Sequence, residues 1–413
     1  VKTSAPFHIA LRFMLGRKRS LILSMTGVVC GVAFFITTQA QTQGFERYFI
    51  ETVLGSSGAI VITDRFQNRY TTFKATEGAI GENQKRRKYY EGISDPYRMM
   101  RVARTFSNVL GAAPVVRGNI TAHNDFQSEV IRLEGIDLPH HLQATTLRSQ
   151  IILGDLNSFR LNPYGIMLGS LLADKLQVKV GDSIILGGSG ETRTFHVTAI
   201  FRTGVNIIDE NRGYVHIGAA QSLLRKPSAA SMIIVRMSDP DRAPQLAQKF
   251  ENLFQHRARS WQEREKGNLQ IFSTLRISAA ITVSLIILLA GFGIFNVLTL
   301  TVLDKIREIA ILRSMGYRRS DIRAIFLWQG VVVAGVGSLL GAVLGALLTW
   351  AVSLIPLKIR GIIYADSFLV HWSATHYIQA ALIAFAAVMA ATYFPARRAS
   401  LVPPVEILRG SGQ

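Results

Sequence analysis

Four stretches of this chain are apolar and free of charge, at residues 21–40, 277–302, 325–354 and 377–394. A helix needs about 20 such residues to cross a hydrocarbon core, so each predicts a transmembrane helix. Between the first two lies a long polar segment in which β-rich runs and helical patterns alternate. Residues 59–63, 130–133, 183–186, 195–201, 213–217 and 231–237 are short and bounded by Gly, Asp, Asn or Pro, as strands are. Residues 169–176, 219–224 and 242–254 carry helical spacing, with Pro244 tolerated in a first turn. Gly181-Asp182 and the glycine-rich run 187–190 mark turns, the second joining a hairpin. The pattern predicts a membrane protein with a four-helix transmembrane region and a large mixed α/β extracytoplasmic domain between the first and second transmembrane helices. Its expected divisions are an N-terminal amphipathic segment (1–20), helix one (21–40), the domain (41–274), helix two (275–303), a connecting segment (304–324), helix three (325–354), a short loop (355–376), helix four (377–395) and a tail (396–413).

Charge sets the orientation. The chain has 46 Lys and Arg against 27 Asp and Glu, a net charge of +19. Lys2, Arg12, Arg17, Lys18 and Arg19 precede helix one, and Lys305, Arg307, Arg313, Arg318, Arg319 and Arg323 fill the connecting segment. Arg397, Arg398 and Arg409 lie in the tail, whereas the loop after helix three has only Lys358 and Arg360. Excess Lys and Arg mark cytoplasmic loops, which puts both ends and the connector inside and the domain outside. Ahead of helix one, Phe7, Leu11, Met14 and Leu15 fall on one helical face, as in a helix lying in the membrane interface; a plain basic flank is the alternative. The run 21–40 is long for a signal peptide, and Val29 before Cys30 does not fit a lipidation motif. As the only cysteine, Cys30 forms no intrachain disulfide.

Catalytic chemistry is not visible. No G-x-x-x-x-G-K-[ST] loop is present to cradle the phosphates of ATP, and the Gly-rich run after Leu186 has no Lys. His140 and His141 are adjacent, so they point in different directions and make a poor metal pair. No charged residue sits mid-span, which disfavours an ion relay. The basic run Lys85 to Tyr90 lies outside the cytosol by this topology, so it reads as a solvated surface, with docking of an acidic partner protein or anionic headgroups as the alternative, and not as a nucleic-acid site. Gly337, Gly341 and Gly345 recur every four residues and let another helix backbone approach, either helix two or four of the same chain or a second copy; Gly27 and Gly31 repeat the spacing in helix one. In the connector, Ile309, Ile311, Leu312 and Met315 form one side of a short helix that Gly316 ends, flanked by Arg307, Glu308 and Arg313.

The run REIAILRSMGY (307–317), IFLWQG (325–330), GFGIFNVL (291–298) and the closing PARRASLVPPVEILRG (395–410) resemble the permease subunits of the FtsX/MacB/Lol superfamily of ABC systems, and within it the lipoprotein-releasing, Lol-type branch. Segments 133–142, 165–186 and 201–224 resemble that family's extracytoplasmic domain, whereas 63–113 has no counterpart in it.

The resemblance implies a non-enzymatic, multi-pass permease of the bacterial inner membrane whose large domain is periplasmic. Its expected partners are a cytosolic ABC ATPase dimer, a second permease copy or homologue, membrane lipids, a lipoprotein substrate and a periplasmic carrier, with no nucleic acid. No cofactor or metal is expected on this chain; ATP and Mg are held by the partner. The resemblance makes Arg307, Glu308, Ile309, Leu312, Met315, Gly316 and Tyr317 the ATPase-coupling element. A substrate held in the outer leaflet would meet Phe34, Phe35, Thr38, Gln39 and Phe45 on helix one and Phe272, Leu275, Ala279 and Val283 on helix two. Two other outcomes of the same architecture are export of peptides, toxins or drugs with an adaptor protein, as in MacB, and regulation of a cell-wall hydrolase, as in FtsX.

Overall fold

The computed structural model of the chain describes residues 4–15, 18–64, 92–93, 95–124, 127–188, 191–226, 230–355, 357–359, 363–365 and 368–401. The basic run 85–90, most of the unmatched stretch 63–113 and the end of the tail lie outside the described residues. Two compact units divide the chain: residues 1–47, 271–356 and 367–413 form one, and residues 48–270 and 357–366 the other.

The first unit is helical. Its long helices are Lys18–Ser57, Lys266–Asp304, Arg319–Ser353 and Ala374–Ser400, with shorter helices at Ser4–Leu15 and Ile306–Ser314. Among the described residues three helices are long and apolar enough to cross a membrane: Lys266–Asp304, Arg319–Ser353 and Ala374–Ser400. The expected first span, 21–40, lies on the helix Lys18–Ser57 and is not among those three.

Two helices overrun the expected ends. The first continues from Ala40 to Ser57 and the second begins at Lys266, not near residue 275. Hydropathy falls where Gln41, Thr42 and Gln43 begin, but polar residues do not stop a helix; the chain turns at Gly58, whose φ of +65° suits glycine. At 1.5 Å per residue, a helix of 39 residues runs about 58 Å, well beyond the ~30 Å hydrocarbon core.

The second unit is built on a ten-stranded sheet. The strands are β1 (Ile60–Thr63), β2 (Val109–His123), β3 (Ser128–Ile136), β4 (Ile151–Gly154), β5 (Gly165–Gly169), β6 (Ser183–Gly187), β7 (Thr192–Phe201), β8 (Arg212–His216), β9 (Met232–Met237) and β10 (Arg257–Ser260). Their order is β10-β1-β9-β2-β3-β8-β5-β7-β4, and β6 pairs with both β2 and β7, closing a ring of strands. The glycine-rich turn after Leu186 joins β6 to β7, with Gly188 N–H donating to Glu191 O at 2.8 Å.

The ring encloses Val116, Leu133, Ile166, Phe195, Val197 and Val215, onto which the helix Ser170–Leu176 adds Leu172 and Leu176. A second cluster joins Ile60, Ile62, Ile233, Val235, Phe250 and Trp261, and a third joins Val61, Val115, Phe159, Phe201, Tyr214 and Ile234. Alternate residues of β1 and β9 serve different clusters, as the two-residue side-chain period requires.

Candidate functional site

The connector helix Ile306–Ser314 is amphipathic, but its apolar residues divide between two faces. Ile309 and Ala310 are buried in the helical core, with Leu312 and Tyr317 packed against it. Ile311 is 44% and Met315 73% exposed. The expected single apolar side of Ile309, Ile311, Leu312 and Met315 is therefore corrected. At about 100° per residue, Ile309 and Leu312 turn inward while Glu308, Ile311 and Met315, spaced i, i+3 and i+7, share the outer face. Gly316, at φ +96°, ends the helix: its N–H donates to Arg313 O, and the Tyr317 N–H reaches back to Leu312 O at 3.2 Å. That pair of bonds is a Schellman motif and fixes where the chain turns. Arg318 N–H then donates to Asp321 Oδ2 at 2.8 Å, starting the helix Arg319–Ser353.

The N-terminal helix Ser4–Leu15 shares this end of the unit. Ala10 and Met14 are buried, Phe7 meets Trp328 edge-to-face at 5.4 Å, and Leu11 is exposed. Of the expected face of Phe7, Leu11, Met14 and Leu15, Leu11 gives way to Ala10 because the helix packs on the helix Arg319–Ser353; the Leu15 side chain lies outside what is described. Lys305 pairs with Glu308 and lies 5.6 Å from the Phe13 ring. Ile9, Arg12, Phe13, Thr301, Glu308 and Ile311 line an open cleft of about 730 Å³ here. Phe13 and Trp328 are the contributors that periodicity alone did not single out.

The glycine repeats make the helix seams. A Cβ at Gly337, Gly341 or Gly345 would lie 3.0 Å from Val28 Cγ1, 2.7 Å from Val32 Cβ or 3.1 Å from Ala33 Cα. The partner is therefore the first long helix, not the helices Lys266–Asp304 or Ala374–Ser400 or a second copy, as the spacing alone left open. Gly27 and Gly31 face the second long helix in the same way, 3.0 Å from Ala290 Cβ and 2.8 Å from Ile287 Cγ1. The first helix is thus clasped on two sides through backbone approach, which only residues without a Cβ permit.

The nine residues expected to hold substrate do not form one surface. Phe35 is 2% exposed and joins Val283 in the helical core, and Gln39 and Phe272 are also buried. Phe34 and Leu275, 52% and 54% exposed, point away from it, while Thr38, Ala279 and Phe45 are half-buried. Phe45 and Phe272 meet edge-to-face at 5.7 Å, and next to them Arg276 Nη1 donates to Glu46 Oε2 at 3.0 Å. An aromatic contact and an ion pair therefore close the seam between these helices at that level.

The profile of the MacB-like periplasmic core domain matches residues 21–253, and that of the FtsX-like permease C-terminal region matches residues 280–404. The lipoprotein-releasing system transmembrane protein LolC of Xylella fastidiosa (strain Temecula1) is 25% identical, covering 97% of this chain and 98% of the relative. LolE of Haemophilus influenzae is 24% identical over 98% and 99% of the two chains. The macrolide export ATP-binding/permease protein MacB of Psychrobacter cryohalolentis is 22% identical over 97% of this chain and 59% of its own length. Among solved structures, the periplasmic region of MacB from Actinobacillus actinomycetemcomitans aligns with 54% of this chain and 97% of its own at 13% identity, with a TM-score of 0.35. Because one profile spans more than half of the sequence and the other most of the remainder, the chain belongs to the FtsX/MacB/Lol superfamily of ABC transporter permeases, with a MacB-like periplasmic core domain followed by an FtsX-like C-terminal region.

Proposed function

We propose that this chain is the permease subunit of a lipoprotein-releasing ABC system, extracting lipoproteins from the inner membrane for a periplasmic carrier under the drive of a separate ATPase. The observation that carries the proposal is end-to-end similarity: LolC and LolE relatives match along nearly all of both chains, whereas the MacB relative matches along 59% of its length. In this reading the helix Lys18–Ser57 supplies a fourth span, both ends and the connector are cytosolic, and the core domain is periplasmic. The protein is multi-pass in the inner membrane, and a second permease copy or a homologue completes the assembly.

The connector is the coupling element of this proposal. Its outer face, Arg307, Glu308, Ile311 and Met315, docks on the ATPase, while Ile309 and Leu312 anchor it to the bundle. Force on the docked face then passes into the spans on either side. ATP and Mg belong to the partner. Cargo enters from the outer leaflet beside the outer ends of the first two long helices, where Phe34 and Leu275 face away from the core.

Photo-crosslinkers at Phe34 and Leu275 test this. They should capture an acylated lipoprotein without nucleotide and release it with a non-hydrolysable ATP analogue, since closure must favour the state that excludes acyl chains. Phe35, being enclosed, should capture little. Equal capture of acylated and unacylated substrate would overturn lipoprotein release and favour peptide export of the kind the MacB similarity represents.

A further inference from the structure

The face of the sheet that bears Val61, Val115 and Ile234 continues into a cavity of about 550 Å³ ringed by arginines. The register places them together. Arg117 on β2 pairs with Glu134 on β3, Arg132 on β3 pairs with Arg212 on β8, and Thr63 and Val61 on β1 pair with Arg257 and Arg259 on β10. Arg264, from the short helix Trp261–Arg264, is the sixth. Against these six guanidiniums the wall offers, among the described residues, two carboxylates, Asp64 and Glu265, with Glu134 buried beside them.

Most of the six are already engaged. Arg117 and Arg212 hold Glu134, at 2.6 and 3.4 Å, and Arg259 is 3.7 Å from Glu263. Arg264 donates to the carbonyls of Ser57 and Gly58, both at 3.2 Å. Arg132 and Arg257 have no side-chain hydrogen bond or ion pair among the described residues, and the buried Nε of Arg259 donates to nothing there. Partial burial and then the charges of Arg117 and Arg212, opposed by Glu134, push the Arg132 guanidinium down from its usual value. Val53, Val205, Ile208 and Met232 give the remaining wall an apolar part, beside Ser56, Thr63 and Asn268.

We propose that this cavity binds a phosphate ester, its oxygens held by Arg132, Arg257 and Arg259 and its organic part laid against Val53 and Ile208. A guanidinium fork matches phosphate oxygens in a bidentate way. A carboxylate would bring one charge and two oxygens to these three guanidiniums, whereas a phosphomonoester brings up to two charges and three oxygens. The volume is that of a small-ligand site. The site does not depend on which cargo the permease moves.

The test uses the full chain in dodecyl maltoside and phosphate-free buffer. It is titrated calorimetrically with inorganic phosphate, glycerol 3-phosphate and dihexanoyl phosphatidic acid. At least one should bind saturably, and Arg132→Gln and Arg257→Gln should each weaken it about tenfold or more, the usual worth of a charge-assisted hydrogen bond. Arg160→Gln, on an exposed helix away from the cavity, should leave it unchanged. Neither Arg132 nor Arg257 supports a contact among the described residues, so both variants should unfold at the parent temperature. Phosphatidic acid binding far more tightly than the other two assigns the site to a lipid headgroup; similar affinities assign it to small phosphate compounds. No saturable binding by any probe, or binding that survives the double substitution, overturns the proposal.

Discussion

Glu134 has no exposed surface, and burial alone would raise its carboxyl; Arg212 and Arg117, with the Arg117 hydrogen bonds of 2.9 and 2.6 Å, outweigh that and hold it at about 2. Its stabilisation is therefore complete above the unfolded carboxylate range and is lost only as pH falls through that range towards 2. Nearby His141 is pushed down to about 4, chiefly by burial, against the charge of Glu134. An unfolded histidine takes a proton near pH 6.5 while this one stays neutral, so stability is full above about 6.5 and declines as pH drops towards 4. His141→Phe should flatten the unfolding midpoint between pH 6.5 and 4.5 relative to the parent, leaving the steeper loss below. Glu134→Gln should cost roughly 3–5 kcal/mol at pH 7, because two guanidiniums lose their buried partner. An unchanged pH profile in the first variant, or an unchanged midpoint in the second, would contradict these assignments. The glycine seam gives a matched pair. Gly341→Leu places its Cβ against Val32 and should destabilise the bundle by about 1–3 kcal/mol, whereas Gly335→Leu, with nothing within 4 Å, should be tolerated. At this scale the sequence shows residue types but not partners. The Gly-x-x-x-Gly spacing announces a close approach without saying which helix arrives, and Arg212, which reaches Glu134 from β8, is 78 positions further along the chain.

Among the elements, the connector carries the sharpest expectation. Ile311→Asp, Met315→Asp and Glu308→Lys alter only its outer face, so the permease should insert and unfold as the parent does while ATPase binding or coupled ATP hydrolysis falls. Ile309→Asp buries a charge in the bundle and should lower stability itself. Coupling that survives all three outer substitutions would remove the connector from the docking role. The connector's helix and its stop at Gly316 were legible from the Gly and the apolar spacing, but not its inner face, where Ile309 and Leu312 pack into the helical core. Strands rich in β-branched and aromatic residues, such as 195–201 and 231–237, were legible within a few residues. The 15-residue β2 was not, because Gly111, Pro114 and Gly118 interrupt it and its pairing with β3, β6 and β9 holds it extended. The long helices were visible as apolar runs, but their polar extensions to Ser57 and from Lys266 carry no hydropathy signal.

For the whole molecule, the sequence carried the class: an FtsX-like membrane permease with a MacB-like periplasmic core domain. Which surfaces meet substrate was less legible, since Phe34 and Phe35 are neighbours of equal hydrophobicity and only packing turns one in and the other out. The closed seam at Phe45–Phe272 and Glu46–Arg276 fits a resting state in which cargo waits beside the helices and not between them. The central claim, lipoprotein release, is tested most directly in proteoliposomes holding the permease, its partner ATPase and a triacylated lipoprotein, with a soluble carrier outside. The account predicts that ATP transfers the acylated protein to the aqueous phase, that the Ile311→Asp permease transfers much less, and that an unacylated version of the same protein is not a substrate. ATP-driven movement that ignores acylation, or no ATP-dependent release from a complex that assembles and hydrolyses ATP, would contradict it.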